Sequence, residues 1–299
     1  KQFDKAAVQF KAILLKNPES DRVHFYLGNV YEEQGKAQEA VSQLSHITNE
    51  SKLYSDAVVH IGLLMKQQGK KEAALGHIDR AIEKLPRVST FYLFKASIHE
   101  EQGQLETAVK TLEEAVRVLP EDEKVKYYLG SLYDRQGKIE DSLKVMEAIL
   151  AINPQHADAL NYIGYTWTLK GVNLDKAEQK LRKAMELRPE SGYIRDSWGW
   201  YLFVRGKSKE AIVELEIAVR LKPDEPTILE HLGDVYMHTN LREKALSKYS
   251  EAAHLAQDES LRSKLQGKID VLRRELTERA TGKSNSRRPA ANPSASTEH

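Results

Sequence analysis

The sequence contains no cysteine among its 299 residues. Disulfide bonds, thiolate catalysis and metal sites with cysteine ligands are therefore excluded. Long apolar runs are also missing, since none reaches the roughly 18 residues that a transmembrane helix requires. Charge of one sign is lacking as well, because 45 lysines and arginines stand against 44 aspartates and glutamates. This balance gives no overall field that would favour nucleic acid or an anionic membrane as a partner.

Motifs for catalysis, cofactors and metals do not occur either. Ten histidines are scattered along the chain, and none stands in an H-E-x-x-H pattern. The stretch "RGKS" at 205–208 resembles the end of a phosphate-binding loop, but Tyr201 takes the place of the required glycine. The basic cluster Arg287–Arg288 has no interleaved aromatic residues, so it does not form the basic and aromatic stripe of a nucleic-acid site. The sequence therefore predicts a protein that is not an enzyme and that binds no cofactor, metal or nucleic acid.

What the sequence does contain is a repeat. A small residue, followed three positions later by an aromatic or long side chain, recurs at steps of 34, 34, 34, 34, 35 and 34 residues. These small residues are Gly28, Gly62, Ala96, Gly130, Gly164, Gly199 and Gly233. Seven residues after each comes a glycine, or once Asn240, which predicts the end of a helix in a left-handed turn. A proline usually closes the unit, but Lys52 stands at the first of these junctions, so we expect that junction to be looser.

Each unit thus reads as helix, turn, helix and break, with "YLG", "QGK" and a closing proline at fixed spacing. This pattern resembles the tetratricopeptide repeat family over residues 1 to about 254. The resemblance implies an all-α fold, a right-handed α-α superhelix in which the first helix of each repeat lines the concave side. A half repeat at 1–18 comes before seven repeats at about 21–53, 55–87, 89–121, 123–155, 157–190, 192–224 and 226–254.

The C-terminal region departs from this pattern. Residues 258–280 place Leu261, Leu265, Ile269, Leu272 and Leu276 along one helical face, which predicts a capping helix that shields the last repeat. A dimerising coiled coil is the alternative for the same segment. Residues 281–299 contain no large apolar side chain and are predicted to be a disordered tail.

Two of the three tryptophans fall in "RDSWGWYLFVRG" at 195–206. Relative to the small residue Gly199, Trp198 belongs to the predicted buried stripe. Positions three before, one after and four after the small residue lie about 100° round the helix, on the predicted concave wall. In the C-terminal half, aromatic and polar residues occupy these wall positions, which predicts a peptide- or protein-binding site. Its residues are Tyr127, Ser131, Asn161, Tyr165, Asp196, Trp200, Phe203, Glu230 and Asp234.

Each residue type on that wall suits an extended peptide or a partner's helix. Aromatic rings provide contact area, Asn161 can pair with a peptide backbone, and the carboxylates can select cations. The alternative is that the rings pack against neighbouring repeats and the acids are solvated. Peptide-binding modules of this family that grip a terminal carboxylate use a lysine–asparagine pair, which this mainly acidic wall does not offer.

A narrower resemblance covers residues 159–240. The successive motifs "NYIGYTW", "GYIRDSWGW" and "EHLGDVY" are similar to bacterial tetratricopeptide lipoproteins of the outer membrane that face the periplasm. One such type tethers a carboxyl-terminal processing protease together with its substrates. The resemblance implies a periplasmic location and that protease as a partner. The chain begins inside a predicted helix, so we expect a membrane anchor, if there is one, in a missing upstream segment. A cytoplasmic location is the alternative.

Three functional hypotheses remain open at this point. The first is a non-catalytic scaffold that binds protein segments in its groove, in the narrower form an envelope adaptor for a protease or an assembly complex. The second is the recognition arm of a larger enzyme, such as a repeat-bearing glycosyltransferase. The third is a structural protein that forms homo-oligomers.

Overall fold

The computed structural model describes residues 2–280, so the predicted disordered tail at 281–299 lies outside the described residues. All regular secondary structure within 2–280 is α-helical, which confirms the predicted all-α class. Contacts along the chain divide it into two compact units, Lys1–Pro154 and Gln155–His299. None of the described helices has both the length and the apolar composition needed to cross a membrane.

The first unit contains nine of the described helices. They are α1 (Gln2–Lys16), α2 (Asp21–Glu33), α3 (Ala37–Leu44), α4 (Tyr54–Gln67), α5 (Lys71–Lys84), α6 (Ser89–Glu101), α7 (Leu105–Val118), α8 (Glu123–Arg135) and α9 (Ile139–Ile152). Helix α3 has eight residues, whereas α5, α7 and α9 have fourteen each. The connection at 45–53 is correspondingly long, in agreement with the looser junction that Lys52 predicts.

The second unit contains the remaining seven described helices. They are α10 (Ala157–Lys170), α11 (Leu174–Leu187), α12 (Gly192–Val204), α13 (Ser208–Leu221), α14 (Pro226–His238), α15 (Arg242–Leu255) and α16 (Glu259–Ala280). Three residues connect α10 to α11, as in the neighbouring pairs, but α10 is one residue longer than α8 and α12, and Asn173 in the connection has a left-handed conformation at φ 51°. Asparagine tolerates this conformation better than most residues.

Both units use the same packing scheme. Within each unit, a first helix pairs with the second helix that follows it, and that second helix also packs against the next first helix of the same unit. First helices contact each other directly, as α4 does with α6 and α10 with α12. We call the side of the first helices that carries positions three before, one after and four after the small residue the inner face. Every functional residue predicted from the sequence occupies such a position.

The small residues set the distance between paired helices. A Cβ added to Gly199 would lie 2.7 Å from Cγ of Leu215, and one added to Gly233 would lie 2.5 Å from Cε1 of Tyr249. Both separations are shorter than carbon atoms tolerate, so a larger residue would push the helices apart. The recurrence of glycine therefore reflects close helix packing.

Helix α16 continues the repeat on one side only. Gly267 stands 34 residues after Gly233, and Leu265, Ile269 and Leu272 are buried in a core that includes Tyr249 and Ala252 of α15. The positions that would face a further second helix are exposed and mostly polar: Ser263, Gln266 and Asp270. The helix thus buries the apolar end of α15 while it presents a polar side to water.

Candidate functional site

Helix α12 carries the two neighbouring tryptophans on different sides. Ser191 caps its N-terminus, where the side chain accepts a hydrogen bond from the backbone N–H of Ile194. Trp198 is only 6% exposed and stacks on Tyr201, with ring centroids 5.2 Å apart, so its predicted place in the core is confirmed. Trp200 lies on the inner face and is half-buried. The half turn between them separates a packing residue from a surface residue.

Aromatic and imidazole rings from three helices meet around Trp200. The ring of His231 in α14 stacks on Trp200 at 4.4 Å with an interplanar angle of 27°. Phe203 lies 5.2 Å from Trp200 between ring centroids, and the hydroxyl of Tyr165 in α10 lies 3.4 Å from Nε2 of His231. We call Tyr165, Trp200, Phe203 and His231 the aromatic row. Tyr165, Trp200 and Phe203 are half-buried along the inner face of the second unit, and His231 is buried.

The sequence predicts that Asp196 offers a free carboxylate, but the structure shows that this carboxylate is already paired. It is 6% exposed, and both of its oxygens lie 2.9 Å from Nδ1 of His231, which donates the hydrogen bond. The prediction that Asp196 is open to select cations is therefore wrong. The physical reason is that the imidazole of the next repeat covers the carboxylate and satisfies it internally.

Burial and charge act in opposite directions on this pair. Burial alone would lower the pKa of His231, but the carboxylate of Asp196, with Asp234 and Glu230 nearby, raises it above its usual value. Burial raises the pKa of Asp196, although His231 opposes the change. Burial also raises the pKa of Tyr165, and both acids on its flank, Asp196 and Glu230, reinforce the effect. The phenol therefore stays neutral, and the imidazole of His231 retains its proton more readily than a free histidine.

Glu230 and Asp234 are also satisfied from within. Glu230 is 4% exposed and accepts from the ammonium groups of Lys264 at 2.9 Å and Lys268 at 2.5 Å. Asp234 accepts from Lys268 at 2.6 Å and from the hydroxyl of Tyr249 at 2.7 Å. Burial would raise the pKa of Glu230, but the two lysines lower it below its usual value. The prediction that these acids select cations is wrong as well, since α16 supplies the cations.

Sequence reasoning missed Lys264, Lys268 and Val271. They stand three before, one after and four after Gly267, so they occupy the inner-face positions of α16. The signal was present, because Gly267 keeps the 34-residue spacing. The prediction of a capping helix rested on the apolar stripe, which lies on a different side of the helix from these three residues. With these lysines included, the inner face of the second unit is close to electroneutral.

The remaining predicted residues lie in two different places. Asn161 is half-buried in α10, and its Oδ1 atom is buried without a hydrogen-bond partner in the part of the chain that the structure describes. Its pairing with a peptide backbone stays a prediction. Tyr127 and Ser131 belong to α8 in the first unit. The hydroxyl of Ser131 donates to the backbone carbonyl of Tyr128 at 2.8 Å, so this donor is engaged.

We also searched residues 2–280 for a possible metal site. Among the residues that the structure describes, no group of three or more histidine, cysteine, aspartate or glutamate side chains could hold a metal ion. The candidate site is thus a set of rings with internally paired charges. Such a surface offers aromatic contact area to a binding partner.

Family models of the tetratricopeptide repeat match the sequence over more than half of its length. One matches residues 99–161, and a second matches residues 1–45, 61–123 and 197–260. The protein belongs to the tetratricopeptide repeat family. No curated protein matches it in sequence.

Solved structures with the same fold are distant in sequence. A tetratricopeptide repeat protein from Parabacteroides merdae ATCC 43184 is 17% identical with a TM-score of 0.61, over 85% of this chain and 98% of that one. Yeast Tom70 is 17% identical with a TM-score of 0.61, over 95% of this chain and 62% of that one. The APC/C hetero-tetramer Cut9–Hcn1 gives 16% identity and a TM-score of 0.62, over 89% of this chain and 52% of that one. These likenesses establish the repeat solenoid fold.

Proposed function

We propose that the protein is a non-catalytic interaction scaffold and that the inner face of its second unit binds a segment of another protein. The observation that carries this proposal is the position of Trp200. Its indole is half-buried on the inner face while its neighbour Trp198 fills the core. Tryptophan and tyrosine are the residues most enriched among those that dominate binding energy at protein interfaces.

The aromatic row is held in place before any partner arrives. Trp200 rests on the ring of His231, and His231 is fixed by the carboxylate of Asp196 at 2.9 Å. Such a buried pair restricts the rotamers of both side chains. A partner therefore loses less free energy to ordering the surface that it meets, which favours tight binding.

Family membership supports the same general role. Tetratricopeptide repeat proteins are generally scaffolds for protein–protein interaction rather than catalysts. The neutral charge balance of this inner face favours a partner segment that is recognised by apolar area and shape. A strongly basic segment would find no open carboxylate among Asp196, Glu230 and Asp234.

In its narrower form the proposal is a periplasmic adaptor, anchored to the outer membrane through an upstream segment. It would present substrates to a carboxyl-terminal processing protease or to an assembly complex. The support for this form is the resemblance of residues 159–240 to bacterial tetratricopeptide lipoproteins. Self-association into a homo-oligomer is compatible with the same inner face, because a second copy can also provide a segment.

A comparison of matched tryptophan variants tests the proposal. Immobilised wild-type protein, Trp200→Ala and Trp167→Ala are each exposed to an extract of the source cells, and captured proteins are identified by mass spectrometry. Trp167 is a suitable control because it is half-buried too, but it faces the paired helix α11, with Lys180 5.5 Å from its ring centroid. We expect Trp200→Ala to lose at least one captured protein that wild type and Trp167→Ala both retain.

Two results would contradict the proposal. One is a set of captured proteins that is unchanged in Trp200→Ala, and the other is equal loss in both variants. Sedimentation velocity of the same three proteins tests self-association. A wild-type oligomer that becomes monomeric only in Trp200→Ala would make a second copy the partner.

A further inference from the structure

An apolar crevice lies at the C-terminal end of the inner face of the second unit. Its volume is about 340 Å³, and its lining residues come from α14, α15 and α16. They are Met237, Tyr249, Gly267, Lys268, Val271 and Leu272. A volume of this size falls within the range of roughly 300–1,000 Å³ found for small-molecule sites.

The crevice is formed by hydrocarbon surface. Lys268 is the only charged residue in its lining, and its ammonium is bound by Glu230 at 2.5 Å and by Asp234 at 2.6 Å. The same lysine crosses the ring of Tyr249, with Nζ 5.1 Å from the centroid. The lining therefore favours an uncharged group, since a charged one would lose water without gaining a counter-ion.

Gly267 has no packing reason to be glycine. In the complete repeats the corresponding glycine lets the paired helix approach, as Gly233 does for Tyr249. A Cβ added to Gly267 would meet no atom within 4 Å. Glycine inside a helix costs about 1 kcal/mol relative to alanine. Because Gly267 has no side chain, the crevice is open at this position, and a larger side chain would fill it.

We propose that this crevice receives one large uncharged side chain, of the leucine, methionine or phenylalanine type, from the protein segment that binds the inner face. The inference rests on the proposed function and specifies what the partner must present. Phe203, Met237 and Val271 stand at the same repeat position in α12, α14 and α16. A segment that follows this line passes from Trp200 to the mouth of the crevice.

The chain's own C-terminal tail cannot supply such a side chain. Residues 281–299 contain no valine, isoleucine, leucine, methionine, phenylalanine, tyrosine or tryptophan. Residues 281–299 are therefore not the occupant. The partner segment should combine this apolar side chain with flanking residues that carry no strong net charge, because the acids of the inner face around the crevice are already paired.

Methionine methyl signals give a direct test in the intact protein. The chain has four methionines, so selective carbon-13 labelling of their methyl groups gives four NMR signals, of which one reports Met237 in the crevice. The probes are N-acetyl-leucinamide, N-acetyl-phenylalaninamide and, as small and charged controls, N-acetyl-alaninamide and N-acetyl-lysinamide. We expect the first two to shift the Met237 signal saturably at millimolar concentration, at least tenfold more tightly than the controls.

A crevice-filling variant provides the matched control. Gly267→Leu should abolish the shift of Met237 without lowering the melting temperature, because the new side chain has open space and α16 loses a glycine. Gly76→Leu in α5 makes the same change where an added Cβ has only Arg80 at 3.8 Å, and it should leave the Met237 shift intact. Val271→Asp, at an exposed position on the rim, should weaken the leucine probe at least tenfold.

Three results would overturn the inference. They are a Met237 signal that does not saturate with either apolar probe, a shift that persists in folded Gly267→Leu, and a wild-type dimer that only Gly267→Leu dissociates. The last result would make a second copy the occupant. If these occur while Trp200→Ala still loses a captured protein, the crevice proposal fails and the proposed function stands. If Trp200→Ala loses nothing, the proposed function itself fails, whatever the crevice binds.

Discussion

His60 of the first unit and His231 of the second occupy the same repeat position, two residues before the small residue. His60 bonds to Glu32 and lies edge-on to Phe25 at 6.2 Å between centroids. His231 bonds to Asp196 and stacks face-on with Trp200 at 4.4 Å. The side chains of the first pair are 18% and 34% exposed, and those of the second are 10% and 9% exposed. One repeat position thus holds a partly exposed histidine–glutamate contact in one unit and a buried histidine–aspartate pair in the other.

This difference shows how a repeat protein makes one region special without changing its backbone. The acid that meets the histidine stands four after the small residue in the case of Glu32, but three before it in the case of Asp196. The position of Asp196 lies deeper, under the ring of the next repeat. The second unit thereby fixes an imidazole as the support for the half-buried indole of Trp200, whereas in the first unit the imidazole takes part in a more exposed contact with Glu32.

The largest expected difference between the two units comes from removal of the acid from each histidine pair. Asp196→Ala leaves a buried imidazole without its partner, which should cost about 3–5 kcal/mol of unfolding free energy. Glu32→Ala breaks a partly exposed pair and should cost no more than about 1 kcal/mol. Chemical denaturation measures both. All three tryptophans lie in the second unit, so their fluorescence reports the Asp196 variant, and hydrogen exchange of α2 and α4 amides reports the Glu32 variant.

Asp196→Asn serves as the control for shape in this experiment. It keeps the size of the side chain and one acceptor oxygen, so a smaller loss than for alanine is expected. Equal costs for Asp196→Ala and Glu32→Ala would mean that the two histidine pairs are energetically alike. The comparison between the units would then be wrong.

The two glycines at the C-terminal end should respond oppositely to alanine. Gly233→Ala forces a methyl group toward Tyr249 and should destabilise the second unit by about 1–3 kcal/mol. Gly267→Ala has open space and should stabilise α16 by up to about 1 kcal/mol. Melting temperatures of the two variants measure this contrast. A loss of stability in Gly267→Ala would show that the crevice is closed in solution.

The pH dependence of the second unit should reveal His231. Its pKa is raised in the folded protein, so its contribution to stability is complete below about 6.5, the value of the unfolded chain. Between that value and the folded-state pKa, the unfolded chain binds fewer protons than the folded protein. The unfolding free energy therefore falls as pH rises through this range, by at most about 1.4 kcal/mol per pH unit. Denaturation followed by tryptophan fluorescence from pH 6 to pH 9 measures this fall, and His231→Gln should not show it. The same fall in His231→Gln would assign it to another group.

The smallest effect concerns the lysines of α16. Lys268→Met keeps an apolar stem over Tyr249 but removes the ammonium from Glu230 and Asp234. Because burial of Glu230 is then opposed by Lys264 alone, its pKa should rise from its present lowered value. Carboxyl carbon-13 shifts of Glu230, followed from pH 3 to pH 7, measure the change. An unaltered titration would show that Lys268 does not neutralise the inner face.

Much of the fold follows from the spacing of small residues. The left-handed turns fall where the period places them, with Gly206 at φ 76° and Asn240 at φ 62°. The 35-residue step is accommodated at the junction of α10 and α11, where α10 is one residue longer than α8 and α12 and Asn173 has a left-handed conformation. Local chemistry is enough for these features, because a turn with positive φ selects glycine or asparagine whatever surrounds it.

The charge state of the candidate site could not be read in the same way. Whether Asp196 is open or covered depends on the side chain that the next repeat places beside it, 35 residues later at His231. The pairing of Glu230 depends on Lys264 and Lys268, which belong to a helix outside the seven repeats. A single helix face predicts which residues point inward. It does not predict which of them are already bound to one another.

The most direct test of the central claim is the unfolding free energy of Trp198→Ala beside that of Trp200→Ala, measured in guanidinium by circular dichroism. Trp198 is a core residue, so its truncation should cost about 3–5 kcal/mol. Trp200 is half-buried on the proposed binding face, so its truncation should cost less than about 2 kcal/mol. Equal losses at the two positions would place both indoles in the core and contradict the existence of a binding face around Trp200.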